Sequence, residues 1–88
     1  MRIVVHARVH ERHPELTDSD VLTAFRSVMV DALRADGRWM AVGLDGRGRD
    51  VEMLYAVSAD GDVLIYHAFT PPTKKFLKEI SESRRRTR

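Results

Sequence analysis

Asp50-Val-Glu-Met-Leu-Tyr-Ala-Val-Ser58, Ala59-Asp-Gly-Asp62, Val63-Leu-Ile-Tyr-His-Ala-Phe69 and Thr70-Pro-Pro-Thr-Lys-Lys-Phe-Leu-Lys-Glu-Ile80 follow one another without a gap. The first and third runs are rich in β-branched and aromatic residues and are divided by an Asp-Gly turn, so they read as two paired strands. The fourth run opens on prolines and continues with apolar residues at helical spacing. Phe76, Leu77 and Ile80 define the face that would pack on the sheet. Thr70 caps this helix if Pro71 lies in its first turn; Thr73 is the competing cap if both prolines precede it. The junction gathers Tyr66, His67, Thr73, Lys74 and Lys75. Acid–base groups beside a cationic helix start suit the gripping or cutting of a phosphodiester backbone.

Upstream, Arg38 to Leu44 reads as a further strand, closed by the glycine-rich turn Asp45-Gly-Arg-Gly-Arg49. Asp36-Gly37 marks a hairpin turn before it. Leu16-Thr-Asp-Ser-Asp20 reads as a helix start, with Thr17 as N-cap, acids in the first turn, and Leu16 and Val21 at the spacing of a hydrophobic staple. That helix is expected to end near Ser27 to Met29 and to give way to a short edge strand. At the start of the chain, Ile3-Val4-Val5 reads as a short strand or a buried anchor. His6 to His13 reads as a helix, stopped by Pro14. The sum is an α+β domain: N-terminal helices, then a three- to four-stranded antiparallel sheet, then a C-terminal helix, with the helices on one face of the sheet.

Eighty-eight residues make one domain with a modest core, read as a single unit over residues 1–83 with a basic tail over 84–88. The absence of cysteine excludes disulfide staples and thiolate metal sites and fits a cytoplasmic protein. The N-terminus lacks the long apolar run of a signal or membrane span, so no membrane partner is expected. Charge is uneven. Residues 1–72 hold eight Lys/Arg against eleven Asp/Glu, a balance of −3, whereas residues 73–88 hold seven against two, a balance of +5. The basic end suits phosphates or an acidic partner surface, and a solvated tail is the favoured reading of Arg84-Arg85-Arg86.

Four histidines raise the question of a metal. His6 and His10 share a helical face, and His13 and His67 are the further donors. No Glu occupies the His-Glu-x-x-His position and no cysteine completes a site, so neither metal nor cofactor is expected. The glycine-rich turn is not a P-loop, because no Gly-Lys-Ser/Thr follows; Arg47 and Arg49 at its tip remain candidates for substrate contact. Strand alternation places Val63, Ile65, His67 and Phe69 on one face and Leu64, Tyr66 and Ala68 on the other, which separates Tyr66 from His67 unless a bulge intervenes. Metal-free RNA cleavage needs a base for the 2′-hydroxyl, cations for the phosphorane-like transition state and an acid for the leaving oxygen. His67 with Lys74 and Lys75 fits the catalytic roles; His6, Arg8 and His10 are further substrate contacts.

Gly37-Arg-Trp-Met-Ala-Val-Gly43, Asp45-Gly-Arg-Gly, Val51-Glu-Met-Leu-Tyr55, His67-Ala68 and Thr73-Lys-Lys-Phe-Leu77 resemble, in order and spacing, the BrnT-like and DUF4258-like branch of the RelE/ParE toxin superfamily. His6-Ala-Arg8 and Leu16-Thr-Asp-Ser-Asp-Val21 resemble its opening helices. The resemblance implies a RelE-like fold, the toxin role in a type II toxin–antitoxin pair, endoribonuclease activity that stops translation, and a cognate antitoxin over the active surface. Two positions depart from the branch. Phe69 stands where an arginine commonly ends the last strand, and His10 where an arginine is frequent. The missing strand-end arginine and the acidic body of residues 1–72 favour the alternative, a non-catalytic interaction module that keeps the toxin fold.

Overall fold

A computed structural model describes residues 1–86; the part of the basic tail at Thr87 and Arg88 lies outside the described residues. The elements in chain order are β1 (Ile3–Val5), α1 (Arg8–Arg12), α2 (Asp18–Arg26), β2 (Val28–Leu33), β3 (Trp39–Leu44), β4 (Asp50–Val57), β5 (Val63–Phe69) and α3 (Lys74–Arg86). The strands form one five-stranded sheet in the order β1-β5-β4-β3-β2. The α+β class and the closing helix agree with the sequence. The expected three- to four-stranded antiparallel sheet is corrected: β1 adds a fifth strand, and it runs parallel to β5 with Val4 beside Leu64. Three residues suffice because the pairing continues past the strand, with His6 N–H donating to Ile65 O at 2.8 Å. The chain then turns into α1, which lies against β5 beyond the end of β1.

The helices do not share a face. Val9 of α1 and Val21 and Ala24 of α2 pack with Leu16, Ala41, Met53, Tyr55, Ile65 and Ala68 in one core. Phe76 and Ile80 of α3 pack with Ala32, Met40 and Val42 in a second core on the opposite face. Adjacent residues Met40 and Ala41 point into different cores, as strand geometry requires. The central strand β4 is therefore covered on both sides, which is why its apolar residues run continuously rather than alternating. Burying Phe76 and Ile80 contributes at most about 1.5–3 kcal/mol each to holding α3 in place. A two-armed ion pair, Arg34 Nε and Nη2 to the Glu79 carboxylate at 2.7 and 2.9 Å, adds a polar tether.

Local rules explain the element ends. Thr17 caps α2 in a reciprocal box: Asp20 N–H donates to Thr17 Oγ1, and Thr17 N–H donates to the Asp20 carboxylate. Leu16 and Val21 are both fully buried in the first core, in the places a staple would give them. Gly37 adopts φ +87° in the β2–β3 turn, a conformation that costs other residues. Gly43 is required for a different reason. A Cβ there would lie 1.9 Å from Ala24 O, so only glycine lets α2 sit this close to β3. At the far end, Thr73 is the cap of α3, its Oγ1 accepting from Phe76 N–H at 3.2 Å. Thr70 is instead bonded to Asp50 O through its hydroxyl at 2.6 Å, so both prolines precede the helix. Arg84, Arg85 and Arg86 form the last turn of α3.

Candidate active site

One irregularity in β5 builds the site. Leu54 pairs with His67, but the next residue, Tyr55, pairs with Ile65, so Tyr66 is an extra residue in the strand. A bulge of this kind resets the alternation. Ile65 and Ala68 stay in the first core, while Tyr66, His67 and Leu54 line a cleft that Val9 and Ala68 of that core also border. The expected separation of Tyr66 from His67 is thereby overturned, as is the grouping of His67 with Val63 and Ile65. The Tyr66 ring lies under the Arg38 guanidinium, 5.2 Å from its centroid, and its hydroxyl is buried without a partner among the described residues.

Beneath His67 lies Glu52, a carboxylate in the middle of the covered strand β4 and only 4% exposed. Its Oε2 is 2.9 Å from His67 Nε2, and its Oε1 accepts from Thr73 N–H at 2.8 Å. The start of α3 thus delivers a backbone donor to a buried carboxylate, a placement the helix dipole favours. An ionised carboxylate only accepts, so His67 Nε2 carries a proton toward it. In neutral His67 the lone pair is then on Nδ1, which has no partner among the described residues. A histidine held in one tautomer by a buried carboxylate presents its second nitrogen as an acceptor.

The cleft beside His67 holds about 200 Å³ and lies between α1 and β5. Its α1 side presents Arg8 and Arg12, four residues apart and therefore on one helical face, and then His13. The His13 ring is edge-on to His67 with centroids 6.2 Å apart, and lies 4.7 Å from Phe69. Its Nδ1 is 3.5 Å from Glu15 Oε1. Two arginines and two histidines that border one small cleft suit an anionic ligand.

The other residues that stand out in the sequence have varied placements. Lys74 and Lys75 are exposed in the first turn of α3, directly after the Thr73 N–H that holds Glu52. Arg8 lines the cleft. His6 is exposed and its Nδ1 accepts from Arg8 N–H at 3.1 Å, beside the cleft but within a local turn. His10 is held by Leu16 O at Nδ1 (2.8 Å) and by Asp18 at Nε2. Both partners accept, so the ring is favoured as imidazolium. Its pKa is raised, first by the Asp18 hydrogen bond and then by the Leu16 carbonyl. Arg49 is bound to Asp45 at 2.8 Å and Asp20 at 3.2 Å, and Arg47 lies 3.6 Å from Asp20. That turn is thereby clamped to α2. Asp45 is only 4% exposed and accepts from the Arg47 and Arg49 N–H groups at 2.9 Å each. Among the described residues no group of three or more His, Asp or Glu side chains is placed to hold a metal ion.

Glu52 and Arg12 are site residues that sequence reasoning misses, and His13 stands out there only as a metal donor. Glu52 has a sequence signal: it is the one charge inside Val51-Glu-Met-Leu-Tyr-Ala-Val57, the strand best fitted to be buried. Comparison with family models, with curated proteins and with solved structures finds no match.

Proposed function

We propose that this chain is the toxin of a type II toxin–antitoxin pair and cuts RNA, with His67 as the group that takes the 2′-hydroxyl proton. The observation that carries the reading is the Glu52–His67 pair at the wall of a cleft flanked by Arg8 and Arg12. Glu52 acts through His67 and is a positioning residue: it fixes the tautomer and pairs with the imidazolium that forms. Arg8 and Arg12 hold the phosphate and stabilise its added charge in the transition state. Lys74 and Lys75, exposed just after the Thr73–Glu52 contact, extend the cationic surface along the RNA. The branch resemblance favours a RelE-like toxin acting in the cytoplasm. No described helix is long and apolar enough to cross a membrane.

A second reading, an interaction module without catalysis, is favoured by another surface. The outer edge of β2 and α3 border a groove of about 860 Å³, lined by Val30, Ala32, Trp39, Leu77 and Ile80 and rimmed by Arg85. A cognate antitoxin with an acidic, apolar segment would fit this groove under either reading. The two are separated by purified protein, freed of any partner, incubated with RNA, and by induced expression with growth followed. Cleaved RNA and arrested growth are expected. Intact RNA together with unaffected growth leaves only the interaction module.

A further inference from the structure

We infer that His13 is the second proton-transfer residue of the site, the acid that complements His67. The inference rests on the RNA-cleaving reading above and adds the identity of the acid. His13 and His67 come from different parts of the chain, the end of α1 and the bulge of β5. Their rings nevertheless face one cleft with centroids 6.2 Å apart, and no hydrogen bond joins them among the described residues. Hydrogen-bond reach to a reacting atom is about 2.6–3.2 Å. Two imidazoles at this separation can therefore address two oxygens of one phosphodiester. Each ring has a carboxylate at one nitrogen, Glu52 at His67 Nε2 and Glu15 3.5 Å from His13 Nδ1. That leaves His67 Nδ1 and His13 Nε2 for the substrate. Glu52 is buried and doubly anchored, so His67 is the base, whose positive charge forms next to a fixed anion. Glu15 is 45% exposed on its side chain, and an imidazolium at His13 has it as a solvated counter-ion.

The step balances without a further reactant. His67 Nδ1 takes the 2′-hydroxyl proton as the 2′-oxygen attacks phosphorus and the P–O2′ bond forms. The P–O5′ bond breaks, and His13 Nε2 gives its proton to the departing 5′-oxygen. The products are a 2′,3′-cyclic phosphate and a 5′-hydroxyl, and proton exchange with water resets both rings. The reaction requires the 2′-hydroxyl, so DNA of the same sequence is not cut.

A leaving group that needs no proton separates the two histidines. The probe pair is a short RNA and uridine 3′-(4-nitrophenyl) phosphate, tested with wild type, His13→Gln and His67→Gln. His13→Gln is expected to lose roughly 10²–10⁴-fold on RNA and to stay within about tenfold of wild type on the nitrophenyl ester. His67→Gln is expected to lose activity on both. Equal losses of His13→Gln on the two substrates, or none on either, overturn the role of His13 while leaving RNA cleavage standing. A wild type inactive on both substrates overturns the cleavage reading itself. Unfolding curves of the three proteins, coincident within error, exclude a folding origin for any loss.

Discussion

Two carboxylate networks in this molecule have similar parts and different endings. In the turn between β3 and β4, Asp45 accepts two backbone N–H groups and the Arg49 guanidinium, and Asp20 accepts its own cap bond together with Arg49. In the centre of the sheet, Glu52 accepts one backbone N–H and one imidazole. The first network ends on guanidiniums that stay charged and cannot hand on a proton. The second ends on a ring with a free nitrogen in a cationic cleft. Burial and pairing alone do not mark a candidate site; the imidazole at the end of its chain of bonds is what sets the second network apart from the first.

The largest effect expected from breaking the second network is on activity. His67→Gln can still donate to Glu52 but moves no proton, so RNA cleavage falls by roughly 10²–10⁴-fold. Its unfolding free energy moves by less than about 1 kcal/mol. A variant that is cleavage-defective only because it is unfolded would erase the contrast.

Breaking the first network reverses the pattern. Asp45→Ala strips a buried anion from Arg49 and leaves two backbone donors unpaired, at a cost of about 3 kcal/mol in denaturant unfolding. The folded fraction should cleave at the wild-type rate. Acid should do the same by degrees. Asp20 is lowered below the usual carboxylate range, first by the Thr17 backbone N–H, with Arg47 and Arg49 adding. Asp45 is also lowered: burial, the largest influence, opposes the shift and is outweighed by the Arg49 and Arg47 hydrogen bonds. A depressed native value means that the stabilisation is full above the unfolded value of about 3.9 and is lost as pH falls through the native one. His10 has the opposite sign. Its raised value gives a stabilisation complete below about 6.5 and lost as pH climbs through the native value. Thermal melts should therefore fall at both ends, with Asp18→Asn weakening the alkaline decline and Asp45→Asn the acid one.

The smallest effect joins the two kinds of role. Thr73→Ala removes the α3 cap bond to Phe76 N–H but keeps the backbone N–H that holds Glu52. It should cost about 1 kcal/mol of stability and leave the cleavage rate of the folded protein unchanged. A large rate loss here would mean that the Glu52 network depends on the cap as well as on the backbone donor.

The same contrasts explain how far the sequence can be read. Periodicity and turn chemistry locate the paired strands, the Thr17 cap and the closing helix, because each is decided within a few neighbouring residues. The fifth strand is harder, since Ile3-Val4-Val5 gains its partners only from Val63, Leu64 and Ile65, far along the chain. The opposite placement of α2 and α3 follows from both faces of β4 being apolar, a property that a strand-by-strand reading takes for ordinary burial. The bulge at Tyr66 is the decisive hidden feature. A simple alternation sends His67 into the wrong core, and nothing local in Ile65-Tyr-His-Ala68 announces the extra residue. Without the bulge, Glu52, His67 and His13 have no reason to be grouped. Arg47 and Arg49, by contrast, are both conspicuous in sequence as cations; Arg49 is bonded to Asp45 and Asp20, while Arg47 lies 3.6 Å from Asp20 with its side chain 61% exposed.

The most direct test of the central claim is Glu52→Gln, followed by RNA cleavage and unfolding on the same preparation. Thr73 N–H fixes which way the new amide points: its oxygen accepts from the backbone, so its NH₂ faces His67. His67 Nε2 must then accept, Nδ1 takes the proton, and the base is in the wrong tautomer. The account predicts a fall in kcat of roughly 10²-fold or more, an unchanged KM, and a shift in unfolding free energy of about 1 kcal/mol or less. Cleavage by Glu52→Gln at the wild-type kcat would contradict it, and would make Glu52 one more buried structural carboxylate like Asp45.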